Sequence, residues 1–85
     1  MPTKTVNVGS SVGLHARPAA LIAEAAEGLG SAVTLSMADG DPVDASSSLL
    51  IMTLGAACGD TVEVAGDDQA AVDTIAALVE KDLDA

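Results

Sequence analysis

The hydrophobic pattern of this chain changes its period several times within 85 residues, and this restricts the folds it can adopt. Residues 5–8, 33–37 and 61–64 alternate apolar and polar side chains, as strands with one buried face do. Residues 16–29 and 72–83 instead repeat their apolar residues at helical spacing. The chain therefore combines strands and helices in alternation, which excludes an all-helical bundle and an all-β sandwich.

Two weaker elements complete the predicted order. A short strand is expected around residues 42–43, after a turn at 39–40, and a short helix over residues 46–54. Asp67 or Asp68 is expected to cap the last helix. The resulting order β-α-β-β-α-β-α predicts an α+β domain, an open-faced two-layer sandwich in which helices cover one face of an antiparallel sheet.

The composition narrows the class of function. The length suits a single domain spanning residues 1–85. Thirteen acidic residues against three basic ones give a net charge of −10, and there is no Phe, Tyr or Trp. Nucleic-acid binding needs basic clusters and stacking surfaces, so it is not expected. No segment approaches the roughly 20 apolar residues of a membrane span. A cytoplasmic protein that binds neither nucleic acid nor membrane is predicted.

Metal-site and disulfide chemistry are poorly supported. Cys58 is the single cysteine, so it has no partner within the chain, and His15 is the single histidine. Asp39, Asp41 and Asp44 form an acidic group, but the closing glutamate of a calcium loop is missing. We expect no metal site and no cofactor.

The residue types that carry chemistry converge on residues 13–19, which read GLHARPA. Proline is tolerated in the first turn of a helix, so Pro18 places His15 at or next to the N-cap. The unpaired N–H groups of a first turn attract anions, and Arg17 adds a planar pair of donors suited to phosphate oxygens. Ala16 keeps the approach open. This is the arrangement expected of a histidine that accepts and carries a phosphoryl group.

Two other interpretations of His15 stay open on spacing alone. A lone histidine near a helix start often caps the helix or lies on the surface. Alternatively, His15 is a general base that activates a hydroxyl of Ser10, Ser11 or one of the serines 46–48. The G-x-S-x-G pattern that exposes a nucleophilic serine is absent, however.

Three segments of the chain resemble one known family. The motif at residues 13–19, the opening KTVNV of residues 4–8 and the segment DASSSLLIMTLGA of residues 44–56 are similar to the histidine-containing phosphocarrier (HPr) family of the bacterial phosphoenolpyruvate-dependent sugar phosphotransferase system. The resemblance covers essentially the whole chain. It implies the same β-α-β-β-α-β-α order, with four strands and three helices.

The resemblance also implies a role for the motif. Enzyme I, charged by phosphoenolpyruvate, would pass a phosphoryl group to Nδ1 of His15, and the chain would hand it to a sugar-specific enzyme IIA. Ala16 and Arg17 would bind the phosphoryl group, and Arg17 would assist its transfer. Such a protein is a relay without independent turnover, and it is expected to be a monomer.

Docking and regulation follow from the same resemblance. The docking face, which we define as Ala20, Leu21, Leu49 and Met52, would surround the histidine, although each of these side chains is also typical of a core. Ser47, eight residues before Gly55, would be a regulatory phosphorylation site, with its neighbours Ser46 and Ser48 as alternatives, since the serine run leaves the register open by one residue. Such a site would add a serine kinase to the partners. The alternative is that Ser47 only caps the helix. A regulatory module that acts only by docking or through Ser47 is the alternative function.

One feature departs from the family. Glu24 and Glu27 occupy the first helix, where many members carry basic residues that face acidic partners. Like charges across an interface lower affinity. This predicts partners that are less acidic, that rely more on apolar contact, or that operate at high ionic strength.

Overall fold

The computed structural model describes residues 2–9, 13–37 and 40–81. These residues form four strands and three helices in the predicted order. The elements are β1 (Thr3–Asn7), α1 (Ala16–Leu29), β2 (Val33–Met37), β3 (Val43–Asp44), α2 (Ser48–Thr53), β4 (Thr61–Gly66) and α3 (Gln69–Glu80).

The four strands form one sheet in the order β1-β4-β2-β3, and every neighbouring pair is antiparallel. The central strand β4 pairs Val62 with Val6 of β1 and Val64 with Leu35 of β2. Because side chains alternate across a strand, this register brings the valines and the leucine to one face. The helices cover that face and leave the other face open, which confirms the predicted fold class.

The core lies between the sheet and the helices. The opposite face of the sheet is polar, since Thr5, Asn7 and Glu63 are exposed. The largest buried aliphatic side chains come from all three helices and from the two central strands: Ile22, Val33, Leu35, Ile51, Val62, Val64, Val72, Ile75 and Val79. An aliphatic core of this kind explains how the chain folds without aromatic residues.

Helix α1 begins and ends where its sequence signals predict. Both Gly28 and Gly30 are residues that can stop a helix, and α1 continues through Gly28 and ends at Leu29. Gly30 caps it with φ of 70°, a left-handed conformation that favours glycine. Leu29 is 36% exposed, so it lies at the edge of the apolar stripe. Among the described residues, no helix has the length and apolar character needed to cross a bilayer.

Strand boundaries differ from the prediction by one or two residues. β1 spans Thr3–Asn7 and not residues 5–8, because its pairing with β4 extends from Thr3↔Ala65 to Asn7↔Thr61. β4 continues to Gly66 since β2 pairs with it as far as Val33↔Gly66. The alternation of side chains could not show these ends because pairing with a neighbour decides them.

Two helix starts are decided by polar side chains. Helix α2 begins at Ser48, so Ser46 and Ser47, which the prediction placed inside a helix over residues 46–54, precede the observed helix. Asp44 explains this, since its Oδ1 accepts the Ser46 backbone N–H at 2.9 Å and holds a turn there. Helix α3 is capped by Asp68, whose Oδ1 accepts the Ala70 N–H at 3.1 Å. Asp39 of the predicted turn and Leu83, the last apolar residue of the predicted helical repeat over residues 72–83, lie outside the described residues.

Helix α2 is anchored to the core by one fully buried side chain, Ile51. Replacing Ile51 by alanine is expected to destabilise the protein by about 2–5 kcal/mol, because the cavity is only partly filled by relaxation. Leu49→Ala is the matched control on the same helix. Leu49 is 69% exposed, so its removal should change stability by less than about 0.5 kcal/mol. Urea unfolding of both variants measures the difference, and equal losses would contradict this account of how α2 is held.

Candidate functional site

His15 occupies the N-cap of α1. Its backbone is extended, with φ of −86° and ψ of −165°, while its carbonyl accepts the first helical hydrogen bond from the Ala19 N–H at 2.9 Å. The side chain accepts no capping hydrogen bond from the N–H groups of this turn, and the residue is exposed. The imidazole is therefore accessible to a partner and is not used to cap the helix.

The first turn of α1 offers hydrogen-bond donors beside this ring. Ala16 and Arg17 precede the first bond of the helix, so their N–H groups have no partner within it. Both residues are exposed, whereas Pro18 is buried and fixes the start of the helix against the core. Two backbone donors and a guanidinium thus lie within three consecutive residues that begin with the imidazole. This arrangement suits an anion carried on the ring.

The backbone before His15 is attached to a distant loop. Gly13 has φ of 77°, and the buried Leu14 donates its N–H to the Ala56 carbonyl at 2.9 Å. Residues 54–60 connect α2 to β4, so this bond joins the start of α1 to the loop that follows α2. His15 is the residue directly after the hydrogen-bonded Leu14.

The predicted docking residues divide between surface and core. Ala20 is exposed, Leu21 is 41% exposed and Leu49 is 69% exposed. Met52 is partly buried and packs against the core, so only part of its side chain is available to a partner. Leu50, which is not among the predicted docking residues, is 40% exposed on α2. Exposed leucines on a short helix are a typical feature of a contact surface.

The serine run before α2 is divided by its hydrogen bonds. Ser47 is the N-cap, and its Oγ accepts the Leu50 N–H at 3.3 Å. The Ser46 hydroxyl donates to Asp44 Oδ1 at 2.7 Å. Together with the Ser46 N–H, this bond lowers the pKa of Asp44 below its usual value because both donors favour the ionised carboxylate. Ser46 is therefore held in a turn, while Ser47 caps the helix.

The two glutamates on α1 are exposed, and one of them lies near this turn. Glu27 lines a shallow cleft of about 250 Å³ together with Asp44 and Ser46. Negative charge thus borders the serine run as well as the exposed side of α1. Among residues 2–9, 13–37 and 40–81, no group of three or more metal-ligating side chains comes together, and Cys58 is exposed.

Comparison with known proteins identifies the family. Residues 2–81 match the family described as "PTS HPr component phosphorylation site". The phosphocarrier protein HPr of Streptomyces coelicolor is 42% identical over 87 residues, covering 99% of this chain and 94% of that protein. The HPr-like protein Crh of Halalkalibacterium halodurans is 34% identical and covers 96% of this chain and all of that protein.

Solved structures agree with the sequence relatives. The crystal structure of phosphocarrier protein HPr from Bacillus anthracis superposes with a TM-score of 0.84 at 31% identity, covering 92% of this chain and 95% of that one. Both the family match and the relatives extend over nearly the whole chain, from β1 to α3. The chain therefore belongs to the HPr family, the phosphocarrier proteins of the phosphotransferase system.

Proposed function

We propose that this chain accepts a phosphoryl group from phospho-enzyme I on His15 and passes it to sugar-specific enzyme IIA proteins. The observation that carries the proposal is the exposed imidazole at the N-cap of α1, in the same turn as two helix N–H groups without a helical partner and the exposed Arg17. Membership in a phosphocarrier family supports the same role. We further propose that the relay operates in the cytoplasm and that the chain acts as a monomer.

The transfer is a nucleophilic displacement at phosphorus. The Nδ1 lone pair of His15 forms a bond to the phosphorus atom as the bond from phosphorus to enzyme I breaks, and the electron pair of that bond returns to enzyme I. Negative charge on the transferring oxygens is stabilised by Arg17 and by the Ala16 and Arg17 N–H groups. The second transfer repeats this displacement, with phospho-His15 as the donor and a group on enzyme IIA as the acceptor.

The docking face suits brief contacts with successive partners. Ala20 and Leu21 on α1 and Leu49 on α2 are exposed apolar side chains that a partner can contact. A relay must release each partner after transfer, and a small apolar patch with a polar border permits this. Glu24 and Glu27 lie on the exposed side of α1, where they would repel acidic partners.

Reconstitution of the relay tests the proposal. Phosphoenolpyruvate and enzyme I are incubated with an enzyme IIA, both proteins from the same genome as this chain. Phosphoryl transfer to enzyme IIA is expected only when the chain is present. A chain that acts only as a regulatory module would dock without supporting transfer, and that outcome would contradict the carrier role.

A second role, regulation at Ser47, is favoured by two observations. Ser47 lies at the N-cap of α2, two residues before the exposed Leu49. The relative Crh is an HPr-like protein, so the family includes members beyond the phosphocarriers named HPr. A phosphate on Ser47, added by a serine kinase, would place negative charge beside the docking face and oppose partner binding.

Ser47→Asp is expected to slow phosphoryl transfer from enzyme I by about tenfold through a higher KM, because it adds charge next to Leu49. Ser47→Asn is the matched control, since aspartate and asparagine cap a helix equally well but only aspartate is charged. Steady-state transfer rates measure both variants. A Ser47→Asp variant that accepts the phosphoryl group as fast as the wild type would remove the regulatory role.

A further inference from the structure

One peptide unit in the loop after α2 is hydrogen-bonded on both of its sides. The carbonyl of Ala56 accepts the Leu14 N–H at 2.9 Å, and the N–H of Ala57 donates to Asp60 Oδ2 at 2.9 Å. The carbonyl and the N–H of a trans peptide point in opposite directions. The peptide that joins Ala56 to Ala57 therefore lies between the residue before His15 and the carboxylate of Asp60.

Asp60 is itself fixed at the start of β4. Its N–H donates to the Ala57 carbonyl at 3.0 Å, which closes a turn, and its carbonyl accepts the Val8 N–H at 2.9 Å. Gly59, with φ of 89°, donates to the Val8 carbonyl at 2.9 Å. These bonds attach the turn to the end of β1. The Asp60 carboxylate that accepts the Ala57 N–H is therefore itself held in place.

Gly13 shows how closely this peptide packs against the chain before His15. A Cβ on Gly13 would approach the Ala56 oxygen without room to fit, and it would lie 2.9 Å from the Cα of Ala57. The φ of 77° at Gly13 also favours glycine. This close packing restricts the position of residues 13–14 relative to the loop. Because His15 is the next residue, it also restricts the position of the imidazole.

We propose that Asp60 is a positioning residue for His15. Its carboxylate fixes the orientation of the 56–57 peptide, and the Ala56 carbonyl then sets the backbone of Leu14 and the place of the imidazole relative to α2. The inference rests on the proposed phosphocarrier role, since it assigns Asp60 the task of aligning His15 with a partner seated on the docking face. Asp60 touches neither the phosphoryl group nor the partner in this account.

Asp60→Ala removes the acceptor of the Ala57 N–H and should lower kcat for transfer from enzyme I by about threefold to tenfold, because transfer is sensitive to small misplacement. The KM should stay within about twofold of the wild type, since the docking face is unchanged. Asp60→Asn keeps an acceptor oxygen and is expected to restore the wild-type kcat. This rescue separates the hydrogen bond from the charge, because both variants lose the same negative charge.

Asp68→Ala is the matched control for a general loss of stability. Asp68 makes an equivalent side-chain bond to a backbone N–H, but it does so at the N-cap of α3. It should leave kcat unchanged. Phosphoramidate, a small donor that needs no docking, should phosphorylate Asp60→Ala and the wild type at equal rates. An unchanged kcat in Asp60→Ala, or an equal fall with Asp60→Asn, would overturn the proposal.

Gly13→Ala tests the same contact from the other side. Gly30→Ala is its control, since Gly30 has a similar φ of 70° but no atom within 4 Å of the added Cβ. Gly13→Ala should lower kcat by more than Gly30→Ala, and equal kcat values would contradict the inference. If Gly13→Ala does not fold, the Asp60 variants decide alone. Failure of the wild type to accept a phosphoryl group would instead refute the proposed function.

Discussion

Replacing His15 by alanine is expected to abolish phosphoryl acceptance from phospho-enzyme I, with a fall of at least about a thousandfold in the rate of transfer. The reason is chemical, since in the proposed relay His15 is the nucleophile that forms the covalent intermediate. His15 is the single histidine of the sequence, so no second imidazole is available. The rate of phosphoenolpyruvate-dependent labelling of the chain measures the loss.

The fold should survive this substitution. The imidazole is exposed and makes no capping hydrogen bond, so alanine at position 15 removes little that stabilises α1. We expect the free energy of unfolding to change by less than about 0.5 kcal/mol. Thermal or urea unfolding of His15→Ala provides the control. Residual labelling of a folded His15→Ala variant would show that another residue accepts the group.

Arg17→Ala is expected to have the second largest effect. The guanidinium lies two residues after the imidazole, in the first turn of α1, where it can donate two hydrogen bonds to phosphate oxygens. Hydrogen bonds to charged groups contribute about 1.5–3 kcal/mol, which corresponds to roughly a tenfold to hundredfold fall in onward transfer. The variant should still accept the group, because the nucleophile is intact.

Arg17→Lys separates charge from geometry. Lysine keeps the positive charge but lacks the planar pair of donors, so its transfer rate should lie between those of Arg17→Ala and the wild type. Single-turnover transfer from the phosphorylated chain to enzyme IIA measures all three proteins. Unchanged kinetics in Arg17→Ala would contradict the role assigned to this residue.

The start of α1 could be predicted because local residues determine it. Pro18 is tolerated only in the first turn of a helix, which places His15 at or next to the N-cap. The structure has His15 at the N-cap. The strand pattern similarly predicts the inner face of the sheet, since Val6, Val62 and Val64 alternate with polar residues. The family resemblance adds expectations that periodicity does not contain, namely Nδ1 of His15 as the acceptor atom and enzyme I and enzyme IIA as the partners.

Other features depend on contacts between distant segments. The Leu14 bond to Ala56 joins residues that are far apart in the chain, so no local pattern indicates it. In the sequence, nothing distinguishes Asp60 from the other acidic residues in turns. Its hydrogen bond to the Ala57 N–H becomes visible only in the structure. Met52 was predicted to dock, yet packing against the core leaves only part of it exposed. Tertiary packing, which sequence periodicity cannot resolve, decides each of these cases.

Mapping of the phosphoryl group after incubation with phosphoenolpyruvate and enzyme I tests the central claim most directly. Intact-mass measurement at neutral or alkaline pH should show one added phosphoryl group, which is lost in acid, as a phosphoramidate bond requires. Fragmentation should locate that group on His15, and ³¹P–¹⁵N NMR should place it on Nδ1. An acid-stable group, a group located on any other residue, or no added mass would contradict the account.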